Sequence, residues 1–494
     1  MKIRTLTIIM AFCTLTFGTA KADNVDIQKA KEVGAYFFTQ VTGAKNVINA
    51  DELQLVHQFD NPTMCVPALY AFNVGQEGYV VVSASDCVEP ILAYAPEGRL
   101  DWETLNPACR YILECYAKVV ADNQNHNVEP LKEVANQWNE LVEHTYTFTP
   151  DKGAVLVKAK WGQGDPDIPT YNVFCPQISG KPCLTGCVAT AMASIIHYWK
   201  YPEVGGTASN PTASTSFNNN VVRYNFRVDS NKFIYDSMPN QINYYSPWSQ
   251  KRAIGKLMFA CGVTVKMGWG LEESGTQSSL VPEGLKKYFR YSDSTTYIER
   301  VNRFDYPLVS DEEWIAMLHN ELDNHSRPVY YSAHDEGGSG RDAGGHAFVI
   351  AGTSNSDQNK FYVRWGWDGG SDGFYTLAPM SSMENTNPQN PAYGYQFRNG
   401  HAMVYRIYPK TLAIDETSVS FAPGAWPNPT TEYLTIPGDQ HYNMHLTVYS
   451  LDGKMVDQQV IPAGATDYRL DVRNYPAGTY VYRLDGNVYK FIVQ

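Results

Sequence analysis

The stretch that decides the fold reads Cys183-Leu-Thr-Gly-Cys187-Val-Ala-Thr-Ala-Met192. From Cys187 onward, apolar residues recur at steps of three and four, which predicts one buried face of a helix: Val188, Met192, Ile195, Ile196 and Trp199. Gly186 permits a sharp turn into this helix, and Pro202 ends it. Cys187 should therefore open the helix, where the positive end of the backbone dipole favours a nucleophilic thiolate over a thiol.

A histidine far downstream could supply the base that such a thiol needs. His346 stands in Gly344-Gly345-His346-Ala-Phe348, and the apolar run that continues to Gly352 predicts a buried strand. The glycines before His346 let a substrate approach the ring, so Gly345 is a candidate substrate-binding residue. A cysteine at a helix start with a histidine roughly 130–160 residues later is the order found in papain-like proteases. A buried structural cysteine and a structural histidine are the alternatives.

Four motifs together resemble the streptopain family: Thr185-Gly-Cys-Val-Ala-Thr-Ala191, Arg327-Pro-Val-Tyr-Tyr331, Gly344-Gly-His-Ala-Phe-Val-Ile350 and Trp365-Gly-Trp367. The resemblance covers about residues 25 to 409. It implies a papain-fold cysteine protease that is secreted as a zymogen and cleaves polypeptides, with Cys187 as nucleophile and His346 as base. No cofactor is expected.

The resemblance also implies roles for three further residues. Gln163, in Trp161-Gly-Gln-Gly164, matches the family glutamine that donates to the oxyanion hole; a solvated loop residue is the alternative. Trp365 matches the tryptophan that covers the catalytic histidine, unless it is a plain core aromatic. Met267 falls in a segment that resembles the pocket for the residue before the scissile one, P2, and predicts an apolar preference there; a core methionine is the alternative.

One position departs from the family pattern. The family usually places asparagine before this tryptophan, where its side-chain oxygen accepts a proton from Nδ1 of the histidine, but this chain has Arg364. Arginine has only donors and cannot orient His346 in that way. Either another acceptor serves, such as Asp368 or a backbone carbonyl, or a backbone shift points Arg364 outward. We expect an active but less efficient enzyme.

Composition and cysteine content narrow the function further. The chain has 494 residues and a net charge of -12, and no basic run suited to phosphate binding, so nucleic acid is not an expected partner.

Cys175 and Cys183 are a candidate disulfide in an exported protein, although pairing cannot be deduced from sequence. Cys183, Cys187 and His197 could hold zinc, but the spacing lacks a paired module, so no metal site is predicted. Core packing is the expected role of His197.

The N-terminal regions read as a signal peptide and a propeptide. Residues 1–22 carry Lys2 and Arg4 before an apolar stretch and end in a small-x-small cleavage site. Residues 23–150 have a helix predicted over 27–41 and a strand-like run at 79–82. The segments 78–84 and 90–94 resemble the inhibitory propeptide of the family. An ordinary accessory domain is the alternative. Release of the propeptide should require cleavage near residues 145 to 158.

The remaining chain divides into a catalytic domain at 151–409 and a tail at 410–494. The catalytic domain is expected to be α+β, with two papain-like subdomains: helices in the half holding Cys187 and strands in the half holding His346. A glycine-rich run at 337–342 should form a mobile loop beside the cleft. In the tail, alternating runs at 433–436, 446–449, 468–472, 479–483 and 489–493 predict a small β-sandwich.

The tail also resembles the C-terminal sorting domain of type IX secretion, with a carbohydrate- or protein-binding sandwich as the alternative. The expected partners are thus polypeptide substrates, the chain's own propeptide as inhibitor and the secretion machinery, and the mature enzyme is expected to be a monomer. The expected location is secreted or at the outer cell surface, after export through the periplasm.

Two other functions compete with the protease. One is a surface adhesin on a protease fold that Arg364 has made inactive, and the other is a cysteine amidase or transpeptidase of cell-wall peptides.

Overall fold

The computed structural model describes most of the chain after the predicted signal peptide, namely residues 23–43, 47–149, 155–203, 212–226, 232–300, 309–333, 345–377, 401–410, 425–437, 444–450, 455–462, 464–465, 467–484 and 487–494. The signal peptide and the predicted loop at 337–342 lie outside these residues. Two compact units share the described chain. The first takes in the segments Met1–Gly162, Glu299–Ser326 and Tyr331–Ala402, and the second takes in Gln163–Ile298, Arg327–Tyr330 and Met403–Gln494. The predicted domain boundaries stay predictions.

The described helices are α1 (Ile27–Val41), α2 (Pro107–His126), α3 (Lys132–Val142), α4 (Cys187–Trp199), α5 (Trp248–Thr264), α6 (Val281–Phe289) and α7 (Asp311–His319). The described strands are β1 (Leu53–Asn61), β2 (Val66–Val74), β3 (Tyr79–Ser83), β4 (Ile91–Ala95), β5 (Gln177–Ile178), β6 (Lys181–Pro182), β7 (Thr212–Phe217), β8 (Asn220–Asn225), β9 (Thr296–Glu299), β10 (Val329–Ala333), β11 (His346–Thr353), β12 (Lys360–Arg364), β13 (Gly373–Thr376), β14 (Ala402–Tyr405), β15 (Tyr433–Pro437), β16 (Met444–Ser450), β17 (Met455–Ile461), β18 (Asp467–Asp471), β19 (Gly478–Leu484) and β20 (Asn487–Val493).

The first unit is built on a sheet with the strand order β1-β2-β3-β4-β13-β12-β11-β10. Strands β1 to β4 come from the predicted propeptide, and the others follow in the His346 half of the chain. The two sets join where β4 pairs antiparallel with β13, in the register Tyr94↔Phe374 and Ala93↔Tyr375. The propeptide and the His346-bearing strands therefore share one continuous sheet.

Helix α1 shows why this part of the propeptide folds as it does. Asp26 caps its N-terminus by accepting a hydrogen bond from the Lys29 amide at 2.8 Å. Val33 and Phe37 on its buried side share one apolar core with Val80 of β3, and burying such side chains is worth about 1.5–3 kcal/mol each. The helix has the predicted bounds, and the predicted strand at 79–82 appears as β3.

In the second unit, α4 packs against α5, and β9 neighbours β14. Helix α4 begins at Cys187 and ends at Trp199, as the apolar spacing and Pro202 predict. Its buried residues, from Val188 to Ile196, include the predicted apolar positions apart from Trp199, which is half-buried at the helix end. The sequence pattern therefore places Cys187 at the N-terminal end of a firmly packed helix.

The tail consists of two sheets, one with the order β15-β18 and one with the order β17-β16-β19-β20. Leu434 and Leu470 of the first sheet share an apolar core with Leu446, Tyr482 and Phe491 of the second, which is the packing of a sandwich. All five predicted strands are present, and β17 is an additional edge strand that the sequence pattern did not predict. Among the described residues, no helix is long and apolar enough to cross a membrane.

Candidate active site

Cys187 is the first residue of α4, and its side chain is partly exposed. Gly186 before it has φ +84°, a left-handed conformation that favours glycine. A Cβ atom on Gly186 would lie 2.7 Å from both Met267 Cε and the Ser274 carbonyl oxygen. The close turn at Gly186 therefore leaves the Cys187 thiol accessible at the helix N-terminus, where free amide groups favour a negative charge.

Gln163 is tied to the segment that leads into Cys187. Its carbonyl oxygen accepts hydrogen bonds from the Thr185 amide at 3.0 Å and from Thr185 Oγ1 at 3.2 Å. Thr185 Oγ1 also lies 3.0 Å from Thr190 Oγ1 on the first turn of α4. The backbone of Gln163 is thus fixed beside the residues that precede Cys187, and its side chain is partly exposed.

Met267 is fully buried, and its thioether packs against Gly186, next to Cys187. Its backbone carbonyl accepts a hydrogen bond from Thr215 Oγ1 at 3.3 Å. Because the side chain fills the space under the turn at Gly186, it supports that turn as a core methionine does. Any contact with substrate stays a prediction, as it does for Gly345, which is exposed before β11.

Tyr330 stands in the motif at 327–331, but the sequence predicted no role for this residue. It is fully buried, and its hydroxyl lies 2.7 Å from Ser278 Oγ. Burial raises the pKa of Tyr330 well above its usual value, and negative charge on Cys187 raises it further, whereas the hydrogen bond with Ser278 lowers it. The phenol therefore stays neutral and lies in the electrostatic environment of Cys187.

His346 begins β11, and its ring is held by a backbone oxygen. Nε2 of His346 lies 2.9 Å from the carbonyl oxygen of Trp365. A carbonyl can only accept, so Nε2 carries the proton in this arrangement and Nδ1 is the basic nitrogen of the neutral ring. The structure therefore provides a backbone carbonyl, one of the acceptors considered for this histidine, and this carbonyl accepts from Nε2 instead of the expected Nδ1.

Two aromatic rings, those of Trp367 and Phe348, lie near the ring of His346. The ring of Trp367 lies 5.1 Å from the His346 ring, centroid to centroid, and Phe348 lies 6.5 Å away. Trp365 is buried, with its ring against Phe348 at 4.7 Å and Tyr375 at 5.0 Å. The Trp367 ring thus neighbours His346, whereas the Trp365 ring packs against Phe348 and Tyr375 and Trp365 reaches His346 through its backbone. The covering role expected for Trp365 stays a prediction.

Arg364 is buried and does not point outward, which corrects one of the expected alternatives. Its Nε donates to the Val157 carbonyl oxygen at 3.0 Å, and Nη1 donates to Asp372 Oδ2 at 2.7 Å. Asp372 is also buried, and its other oxygen accepts from the Trp365 amide at 2.9 Å. The guanidinium therefore anchors the loop that follows β12, and its charge is balanced by a carboxylate.

A disulfide and a metal site were the two roles considered for the cysteines near Cys187. Cys175 and Cys183 are both thiols, so the candidate disulfide between them is not present. Burial and the neighbouring Cys183 raise the pKa of Cys175. In the described residues, no group of three or more His, Cys, Asp or Glu side chains could hold a metal ion.

His197, the third residue of the zinc alternative, has another partner. Its Nε2 lies 3.0 Å from the Met238 carbonyl oxygen. Burial lowers the pKa of His197 to about 4. The side chain is therefore neutral near pH 7 and packs within the second unit, as a structural histidine does.

Comparison with known families divides the chain in the predicted order. The Peptidase C10 family matches residues 161–375, the Spi protease inhibitor matches residues 22–120, and the secretion system C-terminal sorting domain matches residues 424–494. The first of these matches contains Gln163, Cys187, His346 and Trp365.

Individual proteins show the same likeness. Streptopain of Streptococcus pyogenes is 30% identical over 332 residues, which cover 63% of this chain and 74% of streptopain. The thiol protease/hemagglutinin PrtT of Porphyromonas gingivalis is 26% identical over 411 residues, which cover 82% of this chain and 41% of that protein. A solved fragment of prointerpain A from Prevotella intermedia, a cysteine-to-alanine mutant, aligns with a TM-score of 0.52 at 25% identity, covering 72% of this chain and 99% of the fragment. The predicted α+β class, a papain-like fold with a propeptide, is confirmed.

Proposed function

This chain belongs to the peptidase C10 family of streptopain-like cysteine peptidases, and on that premise we propose that it cleaves polypeptides through an acyl-enzyme formed on Cys187. It carries an inhibitory propeptide domain and a secretion sorting tail, so it is a secreted zymogen. The observation that carries the proposal is the accessible thiol at the first residue of α4, inside the family match.

In the proposed first step, Nδ1 of His346 takes the proton from the Cys187 thiol. The bond between Nε2 and the Trp365 carbonyl supports this role, because it places the proton on Nε2, which makes Nδ1 the basic nitrogen, and it stabilises the imidazolium that forms. The thiolate then attacks the scissile carbonyl carbon, and the carbonyl π electrons move onto oxygen. This gives a tetrahedral oxyanion bonded to sulfur.

The oxyanion is proposed to accept hydrogen bonds from the Gln163 side-chain amide and the Cys187 backbone amide. The hydrogen bonds from Thr185 to the Gln163 carbonyl support this role, since they fix the Gln163 backbone next to the segment that precedes Cys187. Donors that are fixed before the reaction stabilise the developing charge without reorganising. Collapse of the intermediate breaks the carbon–nitrogen bond, and the His346 imidazolium protonates the departing amine.

The thioester that remains is hydrolysed by water. His346 takes a proton from the water as it attacks, and the carbon–sulfur bond then breaks to release the acid and the Cys187 thiolate. An apolar preference at P2 is proposed from the resemblance of the segment around Met267 to the family pocket, and the position of the Met267 thioether against Gly186, next to Cys187, is consistent with it. Gly345 is proposed to border the bound substrate because it is exposed immediately before His346.

The propeptide is proposed to hold the enzyme latent until the linker after it is cut. The last described residue before the gap at 150–154 is Thr149, whose amide and carbonyl both bond Ser356 Oγ, at 2.8 and 3.0 Å. The chain is thus anchored at Thr149, within the segment 145–158 where we propose cleavage. Passage through the periplasm before outer-membrane export, and a monomeric mature enzyme, are part of the same proposal.

The alternative function, a surface adhesin on an inactive protease fold, requires that Arg364 prevents the orientation of His346. Arg364 is engaged instead with Val157 and Asp372, and the Trp365 carbonyl holds the ring. Nothing in this arrangement requires inactivity, so the peptidase function is the one we propose.

The test is hydrolysis of peptides by the activated protein and three variants. Cys187→Ala and His346→Ala should each lose at least about 1000-fold in kcat/KM, the scale found when one member of a catalytic unit is removed. Cys183→Ala is the matched control, since this buried thiol lies on the same approach to α4 and should keep near-normal turnover. Full activity of Cys187→Ala would sink the proposal. Peptides that differ only at P2 then test the apolar preference.

A further inference from the structure

Asp368 carries an exposed carboxylate that the proposed mechanism does not use. It lies in a tight turn, closed by a hydrogen bond from the Gly370 amide to the Trp367 carbonyl at 2.8 Å. The two central residues, Asp368 and Gly369, have φ +54° and +82°. Positive φ at both central positions is typical of a type I′ turn, for which Asp-Gly and Asn-Gly are favoured pairs. The turn therefore holds Asp368 at a defined place directly after Trp367.

Trp367 lies beside the proposed catalytic base. Its ring centroid is 5.1 Å from that of His346, and 36% of the residue is exposed. In the proposed mechanism the His346 imidazolium protonates the departing amine, so the residue after the scissile bond, P1′, must lie next to this ring. The exposed part of Trp367 therefore borders the P1′ side chain.

The Asp368 carboxylate lies against Gly162, the residue before Gln163. A Cβ atom built on Gly162 would lie 2.8 Å from Asp368 Cγ and 3.1 Å from Oδ1. Glycine at this position thus leaves room for the carboxylate. Gly162, His346, Trp367 and Asp368 all belong to the first unit. The carboxylate therefore lies where the chain that leads to Gln163 meets the turn that carries Trp367.

From these contacts we propose that Asp368 and Trp367 give the enzyme a preference for arginine at P1′. The planar guanidinium matches a carboxylate with two parallel hydrogen bonds, and its face stacks on an aromatic ring. Lysine pairs with the carboxylate as a point charge, and an acidic P1′ residue is repelled. Asp368 is thus a specificity-determining residue on the leaving-group side. The inference rests on the proposed peptidase function and names the class of bond that it cuts.

Arginine and citrulline provide matched substrates, because citrulline replaces the charged guanidinium by a neutral urea of nearly the same shape. Two internally quenched peptides differ only in this residue at P1′. A second pair carries the same change at P3, on the other side of the scissile bond. The ratio of kcat/KM for the arginine peptide over the citrulline peptide measures the effect of the charge at each position, and a general change in activity cancels from it.

The variants are compared as activated proteins. Asp368→Asn removes the charge and keeps the turn, since Asn-Gly suits it as well as Asp-Gly does. Asp236→Asn is the control, because it removes an exposed carboxylate elsewhere in the catalytic domain, where Asp236 pairs with Lys200 at 3.3 Å.

The P1′ ratio should be about five-fold in the parent and in Asp236→Asn, the scale of an exposed charge pair, and about one in Asp368→Asn. Salt at about 1 M should reduce the parental ratio, because it screens exposed charges. The P3 ratio should be the same in all three proteins. A parental P1′ ratio of one overturns the inference, and so does a ratio that Asp368→Asn leaves unchanged.

Failure of the proposed function has a different signature. Cleavage of both peptides by Cys187→Ala at the parental rate, or no cleavage of any peptide by the parent, contradicts the peptidase mechanism, and the inference falls with it. Cleavage that needs Cys187 but ignores the charge at P1′ overturns the inference alone. If thermal melting shows that Asp368→Asn does not fold, Asp368→Gly supplies a neutral residue that adopts left-handed backbone readily, with the same ratio expected.

Discussion

The carbonyl oxygen of Trp365 lies 2.9 Å from Nε2 of His346 and does for this ring what the family pattern gives to an asparagine side chain. Arg364, which replaces that asparagine, faces away from this task and bonds Val157 and Asp372. A backbone acceptor cannot be removed by substitution, so the ring keeps its orientation while residue 364 is free to serve a structural role. The contact at His346 Nε2 therefore needs no acceptor side chain at residue 364.

Restoring asparagine should therefore fail to improve the enzyme. Arg364→Asn should leave kcat/KM no higher than in the parent and should destabilise the folded protein by about 3–5 kcal/mol, because it strands the buried Asp372 carboxylate. Urea unfolding in the Cys187→Ala background measures the loss. The control is Asp167→Asn, which breaks the exposed pair with Lys181 and should cost less than about 1 kcal/mol. A several-fold gain in kcat/KM for Arg364→Asn would show that the family asparagine is needed after all.

Gln163→Ala should lower kcat by about 100- to 1000-fold with little change in KM, because the side-chain amide is proposed to act on charge that develops only in the transition state. Rates of peptide hydrolysis by the activated enzyme, measured at several substrate concentrations, give kcat and KM. Gln177→Ala is the control, since Gln177 is an exposed glutamine on β5. A rise in KM at unchanged kcat would instead make Gln163 a substrate-binding residue.

Gly186→Ala should disturb the site, whereas Gly180→Ala should not. Both glycines have left-handed φ, +84° and +81°, so both substitutions carry backbone strain of roughly 1–2 kcal/mol. Only at Gly186 does the added Cβ meet neighbours, Met267 and the Ser274 carbonyl, and the overpacking adds about 1–3 kcal/mol. Iodoacetamide alkylation of Cys187, followed by mass spectrometry, should be slowed only by Gly186→Ala. Equal rates in the two variants would contradict the tight turn.

The second unit should lose stability on mild acidification because of His197. Burial lowers its folded pKa to about 4 from an ordinary 6.5, so between these values the unfolded chain binds a proton that the folded chain does not. The free energy of unfolding should fall by about 2 kcal/mol between pH 7.5 and pH 5 from this group.

His197→Gln tests this pH dependence, because its amide can still donate to the Met238 carbonyl but does not titrate. Urea unfolding of the Cys187→Ala protein at the two pH values should show a smaller difference in His197→Gln than in its parent. His126→Gln, at an exposed position on α2, should keep the parental difference. If His197→Gln also keeps it, the histidine is not buried as a neutral ring.

Local patterns predicted the elements that carry the site. Helices α1 and α4 have the predicted starts and ends because apolar spacing, capping residues and glycine or proline signals act within a few residues. Strand β17 was missed because it is an edge strand whose side chains are mostly exposed, so it lacks the alternation of a half-buried strand. The β4–β13 pairing joins distant parts of the chain, and no local signal reports it.

The site, like the fold, could be predicted only where a local sequence motif marks the residue. Contacts between residues that are distant in the chain could not be predicted. Cys187, His346 and Gln163 stand in motifs and could be proposed directly. The acceptor for His346 is a backbone atom, which every residue has and no motif reports. Which of Trp365 and Trp367 covers the ring depends on the turn of the loop after β12. Asp372 as the partner of Arg364 follows from the same loop and could not be deduced from spacing alone.

The most direct test of the central proposal is to trap the acyl-enzyme. The activated protein is mixed with a peptide ester, quenched in acid within the first turnover, and digested for mass spectrometry. The proposal predicts a mass gain equal to the acyl group on the fragment that contains Cys187, which accumulates when ester cleavage is faster than hydrolysis of the thioester. Turnover with no adduct on Cys187, or an adduct on another of the cysteines, would contradict it.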